Sequence, residues 1–257
     1  MDSSFTGLLG VGAVVLLGYA VLGLTGFGSA LVIVPLLAWH WPLSEVVPLV
    51  LAMDVAASLL LGRLNLRQVR WDVVLPLWPG LLLGALLGLW VGRLAQPAWA
   101  MAALGLYVVW VGVRALRAPP VAEATAAPPE PRRWRHGPAL LYGAGVGLVQ
   151  MLFGTAGPLV LAWLARRGVP AHAMRASTPV TMVGVASFVL VLMALDGRLA
   201  AAQLWPRVLL VVPALVAVVA GHTLAHRVPV QGLRRVICGL LVLSGLVLLV
   251  HAGRQLA

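Results

Sequence analysis

The chain has few charged residues, and its basic side chains, apart from histidine, are all arginine. Charged residues make up 10% of the 257 positions, lysine is absent, and 61% of the residues are hydrophobic. A soluble domain carries about 25% charged residues, so this composition argues against a soluble protein. In a soluble protein the net charge of +11 would suggest nucleic-acid binding. Here nearly all the arginines lie in connectors or at predicted helix ends, as topology determinants do, and we expect no nucleic-acid partner.

Cysteine is almost absent as well. Cys238 is the only one, so the chain has no internal disulfide, no cysteine-based metal site and no iron–sulfur cluster. The first residues, Met1-Asp2-Ser3-Ser4, lack the basic segment of a signal peptide. We therefore expect the first apolar stretch to be retained.

The common catalytic motifs are missing. The sequence has no Gly-x-Ser-x-Gly, no Walker A motif, no His-Glu-x-x-His and no Gly-x-Gly-x-x-Gly after a strand. We predict that the protein is not an enzyme, that it has no catalytic residues, cofactor or metal, and that it has no ATPase of its own.

Long apolar runs are what the chain has in abundance, and they are typical of a polytopic all-α membrane protein. Their continuity, without alternation, argues against a β-barrel. Two predicted helices, 28–39 and 158–166, are too short to cross about 30 Å of hydrocarbon at 1.5 Å per residue. We therefore predict about eight spanning helices and two half-helices. The predicted helices are 5–22, 28–39, 46–62, 73–92, 98–116, 138–153, 158–166, 177–195, 204–224 and 233–251.

Each half-helix follows a glycine-rich break in an apolar stretch. The first break reads Gly23-Leu-Thr-Gly-Phe-Gly-Ser29, and the second reads Phe153-Gly-Thr-Ala-Gly-Pro158. Backbone groups cannot stay unpaired in lipid, so such breaks persist only where protein or a wet cavity covers them. A pair of breaks in corresponding places of two halves indicates the substrate site of a transporter.

The chain divides into two similar halves. A Pro/Ala-rich stretch over 117–137 predicts a linker between a transmembrane half at 1–116 and another at 138–257. Pro-Leu-Leu-Ala-Trp (35–39) follows the first break, and Pro-Leu-Val-Leu-Ala-Trp (158–163) follows the second. Pro42 and Pro170 come next in the two halves, and the pattern predicts an internal repeat.

The arginines predict the orientation. If each break turns the chain back to its own side, fourteen of the 18 arginines share one face, a stronger bias than continuous crossings give. This hairpin arrangement puts the linker in the cytoplasm and both termini outside, and it makes the two halves inverted repeats. The fourteen are Arg63, Arg67, Arg70, Arg114, Arg117, Arg132, Arg133, Arg135, Arg166, Arg167, Arg175, Arg227, Arg234 and Arg235.

These features together resemble a known family. A glycine-rich break, a Pro-Leu…Ala-Trp continuation, a proline turn and a helix opening with Ser177-Thr178-Pro179 are similar to the TauE/SafE sulfite and organosulfonate exporters, over essentially the whole chain. The resemblance implies an eight-span bacterial inner-membrane protein that transports a small sulfur-containing or organic anion. The family often has Gly-x-Gly-Gly-Gly at each break, whereas Ser29, Thr155 and Pro158 occupy or adjoin those positions here.

The breaks supply most of the candidate substrate-binding residues. Half-helices that begin at Ser29 and Pro158 could direct free N–H groups and positive dipole ends at one central anion. The alternative is close helix packing, which also uses small residues. The substrate-binding candidates are Thr25, Gly26, Gly28, Ser29, Gln150, Gly154, Thr155, Gly157, Arg175, Ser177 and Thr178.

Several polar candidates have a structural alternative. Ser177 and Thr178 could cap the helix that they begin, and Arg175 could be a topology charge. Gln150 could satisfy backbone groups that the second break frees. Asp54, the only carboxylate well inside a predicted span, could carry a proton in coupled transport or pair with an arginine.

The resulting hypothesis is a secondary transporter that works by alternating access. The resemblance implies that it exports sulfite, sulfoacetate or a similar organosulfonate. The expected partners are that small anion and the lipid bilayer, and the oligomeric state is left open. An anion channel, an intramembrane enzyme and a non-transporting membrane subunit are the alternatives, and the missing catalytic cluster argues against the enzyme.

Overall fold

Helices are the only regular elements in the part of the chain that the structure describes. The computed structural model describes residues 3–25, 28–39, 41–62, 66–117, 137–197, 199, 209–224 and 230–256. The predicted all-α class is confirmed for these residues. The predicted linker lies outside them, apart from its two end positions.

Eleven α-helices lie in the described residues. A 3₁₀ turn at Leu75–Leu77 joins the fourth and fifth into one stretch, Trp71–Leu94. The helices are α1 (Ser3–Thr25), α2 (Ser29–Leu37), α3 (Leu43–Gly62), α4 (Trp71–Val74), α5 (Trp78–Leu94), α6 (Pro97–Arg117), α7 (Gly137–Phe153), α8 (Gly157–Arg166), α9 (Ala171–Leu195), α10 (Val211–Leu224) and α11 (Val230–Leu256).

Five helical stretches of the described residues are long and apolar enough to cross a membrane, which makes this a multi-pass membrane protein. They are Leu43–Leu60, Trp71–Leu94, Pro97–Arg117, Ala171–Leu195 and Ile237–Arg254. Three shorter apolar stretches, Gly10–Leu24, Pro138–Phe153 and Val211–Leu224, fall on the other predicted spans. The number of eight spans stays a prediction. Helices α2 and α8 have 9 and 10 residues, too short to span, as predicted.

The start of α9 differs from the sequence prediction. This helix begins at Ala171, after an extended Pro170, and contains Pro179 in its interior. Ser177 and Thr178 therefore lie well inside the helix, and the hypothesis that they open and cap it is wrong. Proline is common in the first helical turn, which favoured a later start. Membrane helices also tolerate an internal proline where neighbouring groups satisfy the freed carbonyl.

The helices on either side of each break pack against each other. The Tyr142 hydroxyl donates to the Leu159 carbonyl at 2.7 Å, and the rings of Tyr142 and Trp163 lie 5.2 Å apart, so α8 runs back along α7. Helix α2 packs on α1, where a Cβ added to Gly18 would lie 2.4 Å from the Ile33 side chain. Each break is thus the tip of a helical hairpin.

Glycines bring α5 and α7 into backbone contact. A Cβ on Gly84 would lie 1.9 Å from the Ala144 carbonyl oxygen, and one on Gly147 would lie 2.0 Å from the Leu81 carbonyl oxygen. Gly80, one turn before Gly84, faces the preceding turn of α7, so the two helices run parallel. Small residues allow this close approach in membrane proteins.

Two further glycine contacts join helices from different halves. A Cβ on Gly23 of α1 would lie 2.3 Å from the Val218 carbonyl oxygen of α10. Gly105 of α6 faces Gly245 of α11, while Gly112 faces Val242, so α6 and α11 run antiparallel. Helix α3 packs on α9. Each of these pairs takes one helix from each half, so the halves interlock.

The α5–α7 contact predicts an effect on stability. Gly84→Ala places a methyl group on the backbone of Ala144, which cannot move independently of its helix. Overpacking of this kind typically costs about 1–3 kcal/mol, against a gain of about 1 kcal/mol in helix propensity. We expect a lower melting temperature for the detergent-purified variant. Gly145→Ala is the control, because a Cβ there meets nothing within 4 Å. Equal melting temperatures for the two variants would contradict the packing argument.

Candidate functional site

Each break contains a glycine with a positive φ, a backbone conformation that other residues rarely adopt. Gly28, the residue before α2, has φ 98°, and Gly154, directly after α7, has φ 67°. An L side chain in this region costs roughly 1–2 kcal/mol. The glycines are therefore needed to turn the chain, whatever else they do.

The tips of the two hairpins lie near the middle of the spanning helices. Tyr107 is the central residue of α6, and its hydroxyl donates to the Thr155 carbonyl at 2.9 Å. The Tyr107 ring also stacks on Phe153, with ring centroids 6.2 Å apart. At the other tip, Ser29 contacts Asp54, which lies in the second half of α3. Backbone groups freed at this depth must find partners inside the protein.

Gln150 supplies one such partner. Its side-chain oxygen accepts a hydrogen bond from the Ala156 N–H at 2.9 Å, and its side chain is buried. Gln150 does not line the cavity between the two tips. Of its two proposed roles, this geometry matches the structural one.

The two tips meet at a small cavity. It has about 30 Å³ of space for the centres of water-sized molecules, where about 10–15 Å³ is needed to hold one water. Both halves contribute to its wall, and the apolar part comes from leucine, proline and methionine side chains. The lining residues are Leu22, Gly28, Ser29, Ala30, Leu31, Asp54 and Ser58 from the first half, and Gly154, Thr155, Gly157, Pro158, Pro179 and Met182 from the second.

Both half-helices begin at this cavity. Ser29, Ala30 and Leu31 are the first three residues of α2, and Gly157 and Pro158 are the first two of α8. Neither helix has a side-chain cap hydrogen bond. The first N–H groups of a helix generally lack intrahelical acceptors, and its N-terminus carries a partial positive charge. In α8 Pro158 has no N–H and the Leu159 N–H bonds to the Ala156 carbonyl at 3.0 Å, so the Gly157 N–H is the donor that this helix start offers. The cavity therefore combines two positive helix ends.

Thr155 adds a hydroxyl without a partner. It lines the cavity, its residue is 2% exposed, and its Oγ1 has no hydrogen-bond partner in the described part of the chain. A buried hydroxyl without a partner is costly, so this group is available to a ligand. Thr178 Oγ1 is also buried without a partner there, but Thr178 does not line the cavity.

Asp54 brings a carboxylate to the same cavity. Its Oδ1 accepts a hydrogen bond from the Tyr19 hydroxyl at 2.7 Å and another from Ser29 Oγ at 2.8 Å. These donors come from α1 and α2, so three elements of the first half meet at one oxygen. Tyr19 was not a candidate in the sequence, because nothing in the hydropathy pattern pairs position 19 with position 54.

Asp54 does not pair with an arginine among the described residues. Arg70 pairs with Asp72 at 2.8 Å, and Arg93 pairs with Asp196, at the ends of helices. The hypothesis of a structural Asp54–arginine pair is therefore wrong for this part of the chain. Among the described residues, this half-buried carboxylate is held by hydroxyl groups alone.

Of the other candidates, some lie away from the cavity and some are not among the residues that the structure describes. Arg175 is exposed, and Ser177 Oγ accepts a hydrogen bond from the Arg70 backbone N–H at 3.0 Å, which ties the chain before α4 to α9. Thr25 ends α1, but nothing is described of its side chain, and Gly26 lies outside the described residues.

The hydrogen bond of Gln150 predicts a loss of stability when the amide is removed. Gln150→Leu keeps much of the side-chain volume but leaves the buried Ala156 N–H without its acceptor, which costs about 1–3 kcal/mol. We expect the melting temperature to fall. Thr178→Val is the control, since it removes a buried hydroxyl that makes no hydrogen bond in the described residues. An unchanged melting temperature for Gln150→Leu would show that the bond does not stabilise the break.

Comparison with known proteins identifies the family. The family model described as "Sulfite exporter TauE/SafE" matches residues 11–248. The "Probable inner membrane transporter protein TsaS" of Comamonas testosteroni is 40% identical over 208 residues, which cover 80% of this chain and 83% of that protein. No solved structure matches the chain. The resemblance seen in the breaks is confirmed, and the chain belongs to the TauE/SafE sulfite exporter family of membrane transporters.

Proposed function

We propose that the protein is a secondary transporter that binds a small anion in the cavity between the two hairpin tips. The observation that carries this proposal is the convergence of two uncapped helix starts, one from each half, on a single cavity. Helix N-termini bind anions through free N–H groups and the helix dipole. Thr155 Oγ1 supports the same conclusion, because it is a buried donor at the cavity that has no partner in the described part of the chain.

The proposed substrate is sulfite, sulfoacetate or a similar organosulfonate, and the proposed direction is export. The family description names sulfite export. The tetrahedral or pyramidal oxyanion of such a molecule offers three acceptor oxygens, which suits donors that converge from several directions. Among the described residues, no arginine or histidine lines the cavity, so the anion would be held by neutral donors.

An inverted repeat would explain how the helices pair. In chain order α1, α2, α3, α4–α5 and α6 of the first half correspond to α7, α8, α9, α10 and α11 of the second. Exchanging the halves turns the α1–α10 pair into the α7–α5 pair, and it leaves α3–α9 and α6–α11 unchanged. The corresponding helices α6 and α11 run antiparallel, as inversion requires. This correspondence supports two oppositely oriented halves.

The size of the cavity supports alternating access. About 30 Å³ of space suffices for a water or two, and an organosulfonate is larger, so binding and release require the two halves to move apart on one side at a time. We place the protein in the bacterial inner membrane, as the name of the Comamonas relative states for that protein. The arginine pattern puts the central linker in the cytoplasm and both termini outside.

Thr155 allows the proposed site to be tested without disturbing the fold. Thr155→Val keeps the shape and removes a hydroxyl that has no partner in the described residues, so we expect an unchanged or slightly higher melting temperature. The hydrogen bond to the anion is lost, and affinity falls by about tenfold or more, since hydrogen bonds to charged groups contribute roughly 1.5–3 kcal/mol. The measurement is thermal stabilisation of purified protein by sulfite, sulfate, sulfoacetate, taurine and acetate.

Thr178→Val is the matched control. It makes the same change at an equally buried threonine that does not line the cavity, and we expect its affinity to match that of the wild type. Equal loss of binding in both variants would argue against the cavity as the site. No stabilisation of the wild type by any of these anions would argue against an anion site altogether.

Replacing a tip glycine with a larger residue should stop anion transport. Gly28→Leu and Gly157→Leu each add a branched side chain at a residue that lines the cavity, and Gly28 also has a positive φ. We expect each variant to reach the membrane and to lose anion flux in proteoliposomes. Gly145→Leu is the control, because this exposed helical glycine has open space beside it, and its flux should stay at the wild-type level.

Unimpaired flux in both tip variants would show that the substrate does not pass between the hairpins. Voltage-dependent currents far above the turnover of a carrier would instead favour an anion channel. Anion flux and current are both measured on the same reconstituted protein.

A further inference from the structure

An anion in the proposed site would lie beside a half-buried carboxyl group, that of Asp54. We propose that the anion binds only when Asp54 carries a proton, and that Ser29 then transfers its hydrogen bond from the carboxyl group to the anion. This inference rests on the proposed anion site. It assigns a coupling ion to that site and gives Ser29 and Tyr19 distinct roles in it.

The first argument is the distance between the two charges. Asp54 and Ser29 line the same cavity of about 30 Å³, so any anion in it lies within a few ångströms of the carboxyl group. At an effective dielectric constant of about 20, repulsion between two unit charges about 4 Å apart lowers affinity by roughly a thousandfold. An ionised Asp54 and a bound anion therefore exclude each other.

The second argument is that no cation relieves this repulsion. Among the described residues, α1 and α2 bring to Asp54 the hydroxyls of Tyr19 and Ser29, and Tyr19 is the titratable one. Helix α9 contributes Met182 to the same cavity, and the break that follows α7 also lines it. The titratable residue of α10, His222, is exposed. Protonation of Asp54 is thus the available way to remove the negative charge.

The third argument is the hydrogen bonding of the carboxyl group. Asp54 Oδ1 takes both hydroxyls, and Oδ2 accepts no hydrogen bond from the described residues. An ionised carboxylate only accepts hydrogen bonds, whereas a protonated one also donates. While Asp54 is ionised, the single O–H of Ser29 is committed to it. Once Asp54 is neutral, Ser29 and the carboxyl O–H can both donate to an anion.

Tyr19 has a second hydrogen-bond acceptor within reach. Its hydroxyl lies 2.7 Å from Asp54 Oδ1 and 3.3 Å from the Val50 carbonyl oxygen. It therefore stabilises the ionised carboxylate in the empty site and keeps a backbone acceptor within reach when the proton arrives. Tyr19 and Ser29 together make the empty, ionised site stable without a cation.

Anion and proton would then cross the membrane together. For a monovalent anion the loaded site carries the same single negative charge as the empty, ionised site, because the added proton offsets the charge of the anion, so a full transport cycle moves no net charge. Export of such an anion would depend on its own concentration gradient and on the pH gradient, and it would not respond directly to the membrane potential.

The test uses full-length protein in detergent, with sulfate and methanesulfonate as probes, whose charges stay constant where a protein carboxyl group titrates. We expect affinity to fall about tenfold per pH unit above a midpoint, and about one proton to be taken up from weak buffer for each anion bound at a pH well above that midpoint. Asp54→Asn carries a neutral group, so it should bind with no pH dependence and no proton uptake. Ser29→Ala should weaken binding about tenfold at low pH and keep the pH slope.

Tyr19→Phe gives a second test that does not remove the carboxyl group. It removes a donor to the ionised carboxylate, so the midpoint of the pH dependence should move to higher pH. Tyr142→Phe is the control, because that hydroxyl donates to the Leu159 carbonyl outside the cavity, and its midpoint should match the wild type.

The outcomes separate the two proposals. If neither probe binds the wild type at any pH, the proposed anion site is wrong, and the coupling falls with it. If a probe binds with the same affinity at every pH and no proton is taken up, the site stands and the coupling is wrong. An unmoved midpoint in Tyr19→Phe would also overturn the assigned role of the Tyr19–Asp54 contact, even if Asp54→Asn failed to fold.

Discussion

The need to satisfy backbone groups at mid-membrane depth governs this structure. Two hairpins end in glycine turns near the level of Tyr107 and Asp54, where lipid offers no hydrogen bonds. At the second tip, Gln150 accepts from the Ala156 N–H and Tyr107 donates to the Thr155 carbonyl. Among the described residues, the Thr155 hydroxyl, which has no partner, and two helix starts without a side-chain cap face a cavity. The proposed anion site therefore consists of groups that the described residues of the two breaks leave for a ligand.

Backbone contact between the halves holds the two tips together. The α1–α2 hairpin packs on α10 of the other half, and the α7–α8 hairpin packs on α5 through Gly84 and Gly147. A side chain at either glycine would separate the helices, because the groups opposite are carbonyl oxygens rather than flexible side chains. This packing fixes the register of each hairpin against the opposite half. The glycines at the helix contacts between the halves and the glycines at the hairpin tips thus have different roles, which amino-acid composition alone does not distinguish.

The sequence predicted the breaks and the short helices well, because glycine and proline act locally. Gly28 and Gly154 follow from the need for a positive φ, and Thr155 follows from its place in the break. Tyr19 and Ser58 could not be predicted in the same way. In a chain that is apolar on nearly every face, hydropathy does not tell which face of a helix is buried. The contact of Tyr19 with Asp54 joins residues 35 positions apart, so it depends on how the helices pack.

The two halves contribute similar parts to the cavity, yet among the described residues that line it only Asp54, from the first half, is an acid. Asp54 follows Pro42 by the same twelve residues by which Met182 follows Pro170, and both line the cavity. A second carboxyl group in place of Met182 would put two like charges in a space that holds a water or two, and at least one would have to stay protonated. With a single acid, the site has one proton to gain or lose for each anion. In the proposed mechanism the two helix starts bind the anion from both halves alike, and the difference between Asp54 and Met182 sets a stoichiometry of one proton.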